Sequence, residues 1–175
     1  MDRRPNFMLP ELAFELIEER IKSGMVILEL GSGDGSIRLD KKYELISIEH
    51  DLDWAKNHPG TCIQCDIVSN PSSQEVGEEG WYAIEPEEPR IPQKIDLLLV
   101  DGPPGWIGRT GLIHHEWLLD RCEHFLIDDT DRPAEYTLAL KIQTMTNGYI
   151  EDFAATELNG EGMPRRFTWI RRLNE

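Results

Sequence analysis

The amino-acid sequence predicts an α/β domain: a doubly wound, mostly parallel seven-stranded sheet with helices on both faces and an antiparallel C-terminal strand pair. Three observations point there. Short apolar runs, each too short for a core helix, end at acidic or glycine-rich turns and alternate with helix-compatible stretches. The first run leads straight into Gly31-Ser32-Gly33-Asp34-Gly35-Ser36, a strand-to-helix turn stripped of bulky side chains. The last two strand-like runs flank a turn-rich stretch rather than a helix, as in a hairpin.

Pro10 can open the first helix, and Leu12, Leu16, Ile17 and Ile21 recur at helical spacing until Ser23-Gly24 stops it. Buried parallel strands are expected at residues 25–30, 45–49, 62–66, 95–100 and 125–128. Helices fit residues 52–57, 111–121 and 133–146, the last opening at Pro133 and closing at Asn147-Gly148. Residues 149–157 and 167–171 form the closing strand pair around the turn-rich stretch 159–164. Residues 70–93 hold Pro71, Pro86, Pro89, Pro92 and six glutamates, so this insertion is expected to be mostly irregular, either a wall of the site or a solvated loop.

The 175 residues fit a single domain, 1–175, and 39% apolar content can fill its core. Eighteen Lys and Arg against 33 Asp and Glu leave a net charge of −15, which repels phosphate backbones and anionic membrane surfaces. Neither nucleic acid nor membrane is therefore an expected partner. The arginine pairs Arg3-Arg4, Arg165-Arg166 and Arg171-Arg172 are too few to reverse that field. No apolar run approaches the roughly 18 residues of a bilayer span, and the first residues lack a signal-peptide core. Cys62, Cys65 and Cys122 are odd in number, without a disulfide framework. A cytoplasmic location is expected.

The chemistry gathers at the strand ends. The first turn reads G-x-G-x-G, with Ser36 where a dinucleotide fingerprint would place its last glycine, which favours a cofactor without a pyrophosphate. The second expected strand ends in Glu49, eighteen residues after Gly31, where a carboxylate can accept both hydroxyls of a ribose. Asp66 falls at the expected end of the third strand, as a ligand group or a turn cap. Asp101-Gly102-Pro103-Pro104-Gly105 and Asp128-Asp129-Thr130-Asp131 follow the fourth and fifth.

These residues resemble the class I S-adenosylmethionine-dependent methyltransferases. ILELGSGDGS looks like their first motif and SIEHDLDW like the second-strand motif of a subgroup in which an acid is followed by a tryptophan; IDLLLVDGPPG and FLIDDTDRPAE are similar to that subgroup's fourth- and fifth-strand motifs. The resemblance spans roughly residues 12 to 147, and its specificity lies in four motifs in order. It implies a Rossmann-like fold with S-adenosylmethionine as cofactor. Glu29, Gly31, Ser32 and Gly33 would surround its methionine part, Glu49 would bind the ribose, His50 would flank the adenine, Asp66 would meet the adenine amino group, and Asp101 would sit beside the reacting methyl.

Methyl transfer needs an aligned, electron-rich nucleophile, so the candidate catalytic residues are Asp101, Asp129 and His114. His114 and His115 both follow the Asp101 loop, and adjacent helical positions allow one of them at most to face the site. So many aspartates repel one another unless something offsets them. Asp101, Asp128 and Asp129 stand like the metal ligands of catechol-type O-methyltransferases, which would take magnesium or another divalent cation, although Asp129 replaces the asparagine usual there. Pairing with Arg109 or Arg132 is the alternative. Trp106 would shield the site, stack on an acceptor ring, or simply anchor its loop. The C-x-x-C at Cys62 and Cys65 reads as packing, and no hydrolase elbow or phosphate loop is present. The function expected is methyl transfer to oxygen of a small-molecule or sugar-like acceptor, with a non-catalytic cofactor-binding module as the alternative.

Overall fold

The computed structural model describes residues 8–69 and 80–173, so Arg3-Arg4, Pro71 and the first part of the insertion lie outside the described residues. In chain order the elements are α1 (Glu11–Arg20), β1 (Val26–Leu30), α2 (Ser36–Asp40), β2 (Glu44–Glu49), α3 (Leu52–Lys56), β3 (Thr61–Gln64), β4 (Ile67–Ser69), β5 (Gly80–Tyr82), β6 (Ile95–Val100), a 3-10 turn (Thr110–His114), α4 (Glu116–Asp120), β7 (Cys122–Ile127), α5 (Pro133–Met145), β8 (Gly148–Leu158) and β9 (Pro164–Arg172).

Seven strands form one sheet in the order β3-β2-β1-β6-β7-β9-β8. The first five pair in parallel, and β9 joins β7 and β8 antiparallel. Apolar residues on successive positions let the central strands pack on both faces. Leu97 and Leu99 of β6 join Ile27, Leu45 and Leu126 against Phe14 and Ile17 of α1. Leu98 and Val100 point the other way, with Leu28, Leu30 and Ile127, onto Leu118 of α4 and Leu138 and Ile142 of α5. From β1 the chain winds outward to β2 and β3, then returns to place β6 on its other side, so the order reverses at β1, the place where doubly wound sheets hold ligands beyond their carboxyl ends. No helix among the described residues is long and apolar enough to cross a membrane.

Two expectations need correction, and two gain detail. The helix expected over 111–121 breaks at His115, whose non-helical backbone (φ −112°, ψ 55°) separates the 3-10 turn from α4 while its Nδ1 donates to Gly111 O. The third strand stops at Gln64, because residues 67–69 turn away to pair with β5. The insertion is not all irregular: Trp81 and Tyr82 are buried in β5, the apolar gain of two aromatics outweighing the surrounding prolines and glutamates. A short helix, α2, follows the glycine turn where no helix range is read from sequence.

Where β1 and β6 end, their main chains nearly touch. A Cβ on Gly31 would lie 2.9 Å from Gly102 Cα, and Gly31 also has φ +85°, a backbone region that side chains disfavour. The glycine thus serves a backbone-to-backbone contact at this position, rather than open space for a ligand. Gly31→Ala should lower stability by roughly 2 kcal/mol or more, measured by urea unfolding; a change within about 0.5 kcal/mol would contradict the packing described.

Candidate active site

The carboxyl ends of β2, β1 and β6 bring Glu49, the first turn and Asp101 to one edge. Glu49 is buried, and its Oε2 accepts Ser32 N–H at 2.8 Å while Oε1 accepts His50 N–H and Asp51 N–H, each at 2.7 Å. An ionised carboxylate offers about four acceptor positions. Three of them are committed to main chain, and one remains on Oε2, so Glu49 has capacity for one ribose hydroxyl where the sequence suggests two. His50 Nδ1 lies 2.9 Å from Glu49 Oε1 but is not aligned to donate to it.

Glu29 does not open to this edge. Its carboxylate lies inside the sheet, 4% exposed, accepting Ser36 Oγ–H at 2.7 Å and Ser47 Oγ–H at 2.5 Å. Ser36 Oγ in turn accepts Gly33 N–H at 3.1 Å, so Glu29 braces the first turn from beneath. Behind it, His58 Nδ1 accepts Gly60 N–H, which leaves Nε2 as the donor to Ser47 Oγ at 2.7 Å. Burial pushes Glu29 up to about 7, against the pull of the two serine hydroxyls.

The aspartates converge as expected: donor oxygens of Asp101, Asp128 and Asp129 lie within 4.8 Å of one another. Three arginines meet them. Arg109, itself buried, reaches Asp129 Oδ2 at 3.2 Å and Asp101 Oδ1 at 3.6 Å while donating to the carbonyls of Asp101, Pro103 and Asp128. Arg132 reaches Asp129 Oδ2 at 3.2 Å, and Arg165 holds Asp128 Oδ2 at 2.6 Å. Arg109 and Arg132 are the internal partners expected from sequence; Arg165 is not foreseen. Asp128 Oδ1 is buried with no donor. Burial and the two other aspartates push Asp128 well above the usual carboxylate range. Asp101 is pushed up to about 6, first by burial and then by Asp129, with Arg109 opposing. Side-chain exposure rises from 0% at Asp128 through 15% at Asp129 to 29% at Asp101, so Asp101 is the member that faces outward.

Other expected residues are placed less centrally. Asp66 is exposed in the link between β3 and β4. His114 is exposed at the end of the 3-10 turn and is not among the hydrogen-bond or ion-pair partners found for the aspartates, while His115 faces Trp81 and Trp117. Trp106 is 74% exposed on the Asp101 loop, so it is no buried anchor. Cys62 and Cys65 are half-buried, and burial raises both thiols, to about 11 and about 12, which agrees with packing. A shallow hollow lined by Glu123, His124, Arg171, Arg172 and Leu173 lies at the amino end of β7 and shares no residue with this edge.

Sequence reasoning misses Tyr82. Its hydroxyl would be 2.6 Å from a Cβ on Gly102, so it rests over the β6 end, and its ring centroid is 6.4 Å from that of His50. The available signal is Trp81-Tyr82 itself, two large aromatics inside an acidic stretch.

No protein-family model matches the chain, and no curated protein sequence is similar to it. Solved structures match throughout its length. A methyltransferase from Pyrococcus furiosus superposes with TM-score 0.57 at 12% identity, over 98% of this chain and 88% of its own. The O-methyltransferase TomG from Streptomyces achromogenes, involved in tomaymycin synthesis and solved with S-adenosylmethionine, gives 0.57 at 15% identity, over 97% and 83%. An rRNA methylase from Streptococcus thermophilus gives 0.55 at 14% identity, over 99% of both chains. At such identities the likeness is one of fold: the chain has the architecture these methyltransferases share.

The Glu29 brace has a measurable signature. A carboxyl raised from 4.5 to about 7 binds its proton more tightly in the folded state, so its stabilising share is complete below about 4.5 and is lost as pH rises through about 7. Glu29→Gln removes that dependence. Relative to wild type, the variant should gain on the order of 1–3 kcal/mol between pH 5 and pH 8 in urea unfolding; a pH-independent difference would show that Glu29 is already ionised at pH 5.

Proposed function

We propose that the chain is an S-adenosylmethionine-dependent methyltransferase that methylates an oxygen of a small-molecule or sugar-like acceptor. The observation that carries this reading is the meeting, at the reversal of strand order, of a carboxylate turned toward the first glycine turn and an aspartate that faces outward beside it. The fold shared with TomG and the other methyltransferases supports it.

The residues fit the cofactor. Glu49 keeps one acceptor position beside the turn for a ribose hydroxyl, and His50 Nδ1 and Tyr82 Oη are buried nearby without partners of their own. When bound, S-adenosylmethionine supplies an electrophilic methyl on a sulfonium. Ser32 and Gly33 are held from both sides, by Glu49 and Ser36, so the turn is set before any ligand arrives. Asp101 takes the acceptor proton: it is the most exposed of the three aspartates, and at about 6 its carboxyl is mostly ionised at neutral pH yet basic enough to draw on a hydroxyl. Asp129, tied to Arg109 and Arg132, fixes the charge behind it.

The divalent cation fits poorly. Arg109, Arg132 and Arg165 already meet one oxygen or more of each aspartate and offset much of their charge, which leaves little for a cation to supply. The uncovered Asp128 Oδ1 is the one observation in a cation's favour. Transfer should therefore survive dialysis against a chelator with less than about a twofold change; loss of activity restored by magnesium would reverse this conclusion. The net charge of −15 sets the chain against polyanionic acceptors, and the rRNA methylase shares its fold alone.

Calorimetry with S-adenosylhomocysteine tests cofactor binding, which Glu49→Ala should weaken about tenfold or more. An intact fold with no detectable binding would remove the proposal. With an acceptor in hand, activity should fall as pH drops through about 6, as the Asp101 carboxylate is protonated, and Asp101→Asn should lower kcat about 100-fold or more and abolish that acidic limb. Retention of the limb in the variant would assign the base elsewhere.

A further inference from the structure

The antiparallel ribbon of β4 and β5 has no place in the parallel sheet, yet it ends at the proposed cofactor edge. Its register pairs Ile67 with Tyr82 and Val68 with Trp81. Gly80 N–H donates to Ile107 O and Ala83 N–H to Asp66 O, so both ends of β5 are tied to neighbouring chain. Trp81 is pressed onto Gly111, where an added Cβ would lie 2.5 Å from Trp81 Cβ, and its ring meets Tyr82 edge-on with centroids 5.3 Å apart. Packing alone therefore fixes the Tyr82 ring, which is 1% exposed.

Its hydroxyl has no hydrogen-bond partner. It is buried over Gly102, with Glu49 and Asp101 as the acids and Arg109 as the base that act on it. Burial, more than these charges, keeps the phenol protonated far above its ordinary value, so the group is a donor awaiting an acceptor. A buried donor without a partner destabilises the protein that contains it, and a polar ligand that reaches it relieves the cost.

We propose that Tyr82 is a cofactor-binding residue supplied by the ribbon, its hydroxyl donating to an oxygen of the adenosyl sulfonium's nucleoside beside Glu49 and His50. This rests on the methyltransferase reading and adds to it a contact from outside the parallel sheet. The nucleoside is favoured over the methyl acceptor because the Tyr82 ring has the His50 ring as a neighbour, with centroids 6.4 Å apart, and His50 is tied through its N–H to Glu49.

Tyr82→Phe separates binding from structure, since it preserves the ring and removes only the oxygen. The ligand-free variant should melt at the same temperature as wild type or about 2–4 °C higher, because an unpaired buried hydroxyl is gone. Its Kd for S-adenosylhomocysteine should rise about tenfold, the loss of one buried hydrogen bond. A variant that binds as tightly as wild type overturns the proposal while leaving the methyltransferase reading standing, and so does one that melts several degrees lower, which would make the hydroxyl structural. If wild type itself binds no S-adenosylhomocysteine, the reading fails first and the Tyr82 role falls with it.

Discussion

The arrangement of this edge depends on how closely two main chains approach. β1 and β6 stay in register to Leu30 and Val100, and the ladder runs on through Asp101 N–H to Leu30 O before the chains part. Gly31 and Gly102 then lie against each other with no side chain between them. That contact sets where both following segments begin. It presents Ser32 N–H to the Glu49 carboxylate on one side and leaves Asp101 facing outward on the other. A methyl group at either glycine would force the two loops apart and misplace both carboxylates together.

The second constraint is electrostatic. Three aspartates packed this closely cannot all be ionised without compensation. The arginines come from distant parts of the chain: Arg109 from the loop after β6, Arg132 from the start of α5, and Arg165 from β9. The antiparallel C-terminal pair is thus part of the site as well as the end of the sheet, and Arg165 also donates to Met8 O just ahead of α1. Asp129 sits at φ 58°, an uncommon backbone position for a residue with a side chain, and three polar contacts converge there to keep it. The outcome is a graded set, with Asp128 sealed, Asp129 clamped and Asp101 open, from charges that look alike in sequence.

Much of this was legible in the residues. Apolar runs of four to six residues ending at an acidic or glycine-rich turn located the five parallel strands, and the turn-rich stretch 159–164 located the hairpin, because burial on both faces and tight turns leave local marks. Glu49, Asp101 and Asp129 could be placed at strand ends for the same reason. What escaped depends on contacts distant in sequence. Arg165 lies 37 residues from Asp128, and nothing around it distinguishes it from the exposed Arg166. Glu29 reads as a cofactor contact until its serine partners are known, and Ser47 is one apolar-strand position among several. Tyr82 was hidden because a segment of glutamates and prolines outvotes two aromatics in any local reading, although burial of those rings decides the outcome.

The distribution of unpaired polar atoms supports treating this edge as the functional one on grounds independent of motif. Folded proteins pair nearly all buried polar groups, since each one left alone weakens the fold. Among the described residues the buried side-chain atoms without partners belong to Tyr43, His50, Trp81, Tyr82, Thr110 and Asp128. Tyr43 precedes β2, at the opposite end of the sheet; the others lie in the ribbon or in the loops that follow β2, β6 and β7. If they were mere flaws of packing, five of the six would have no reason to gather at one end of the sheet. An edge shaped to receive a polar ligand has such a reason: its donors and acceptors must be shielded from water yet kept from pairing with one another, so the fold bears the cost until the ligand meets them.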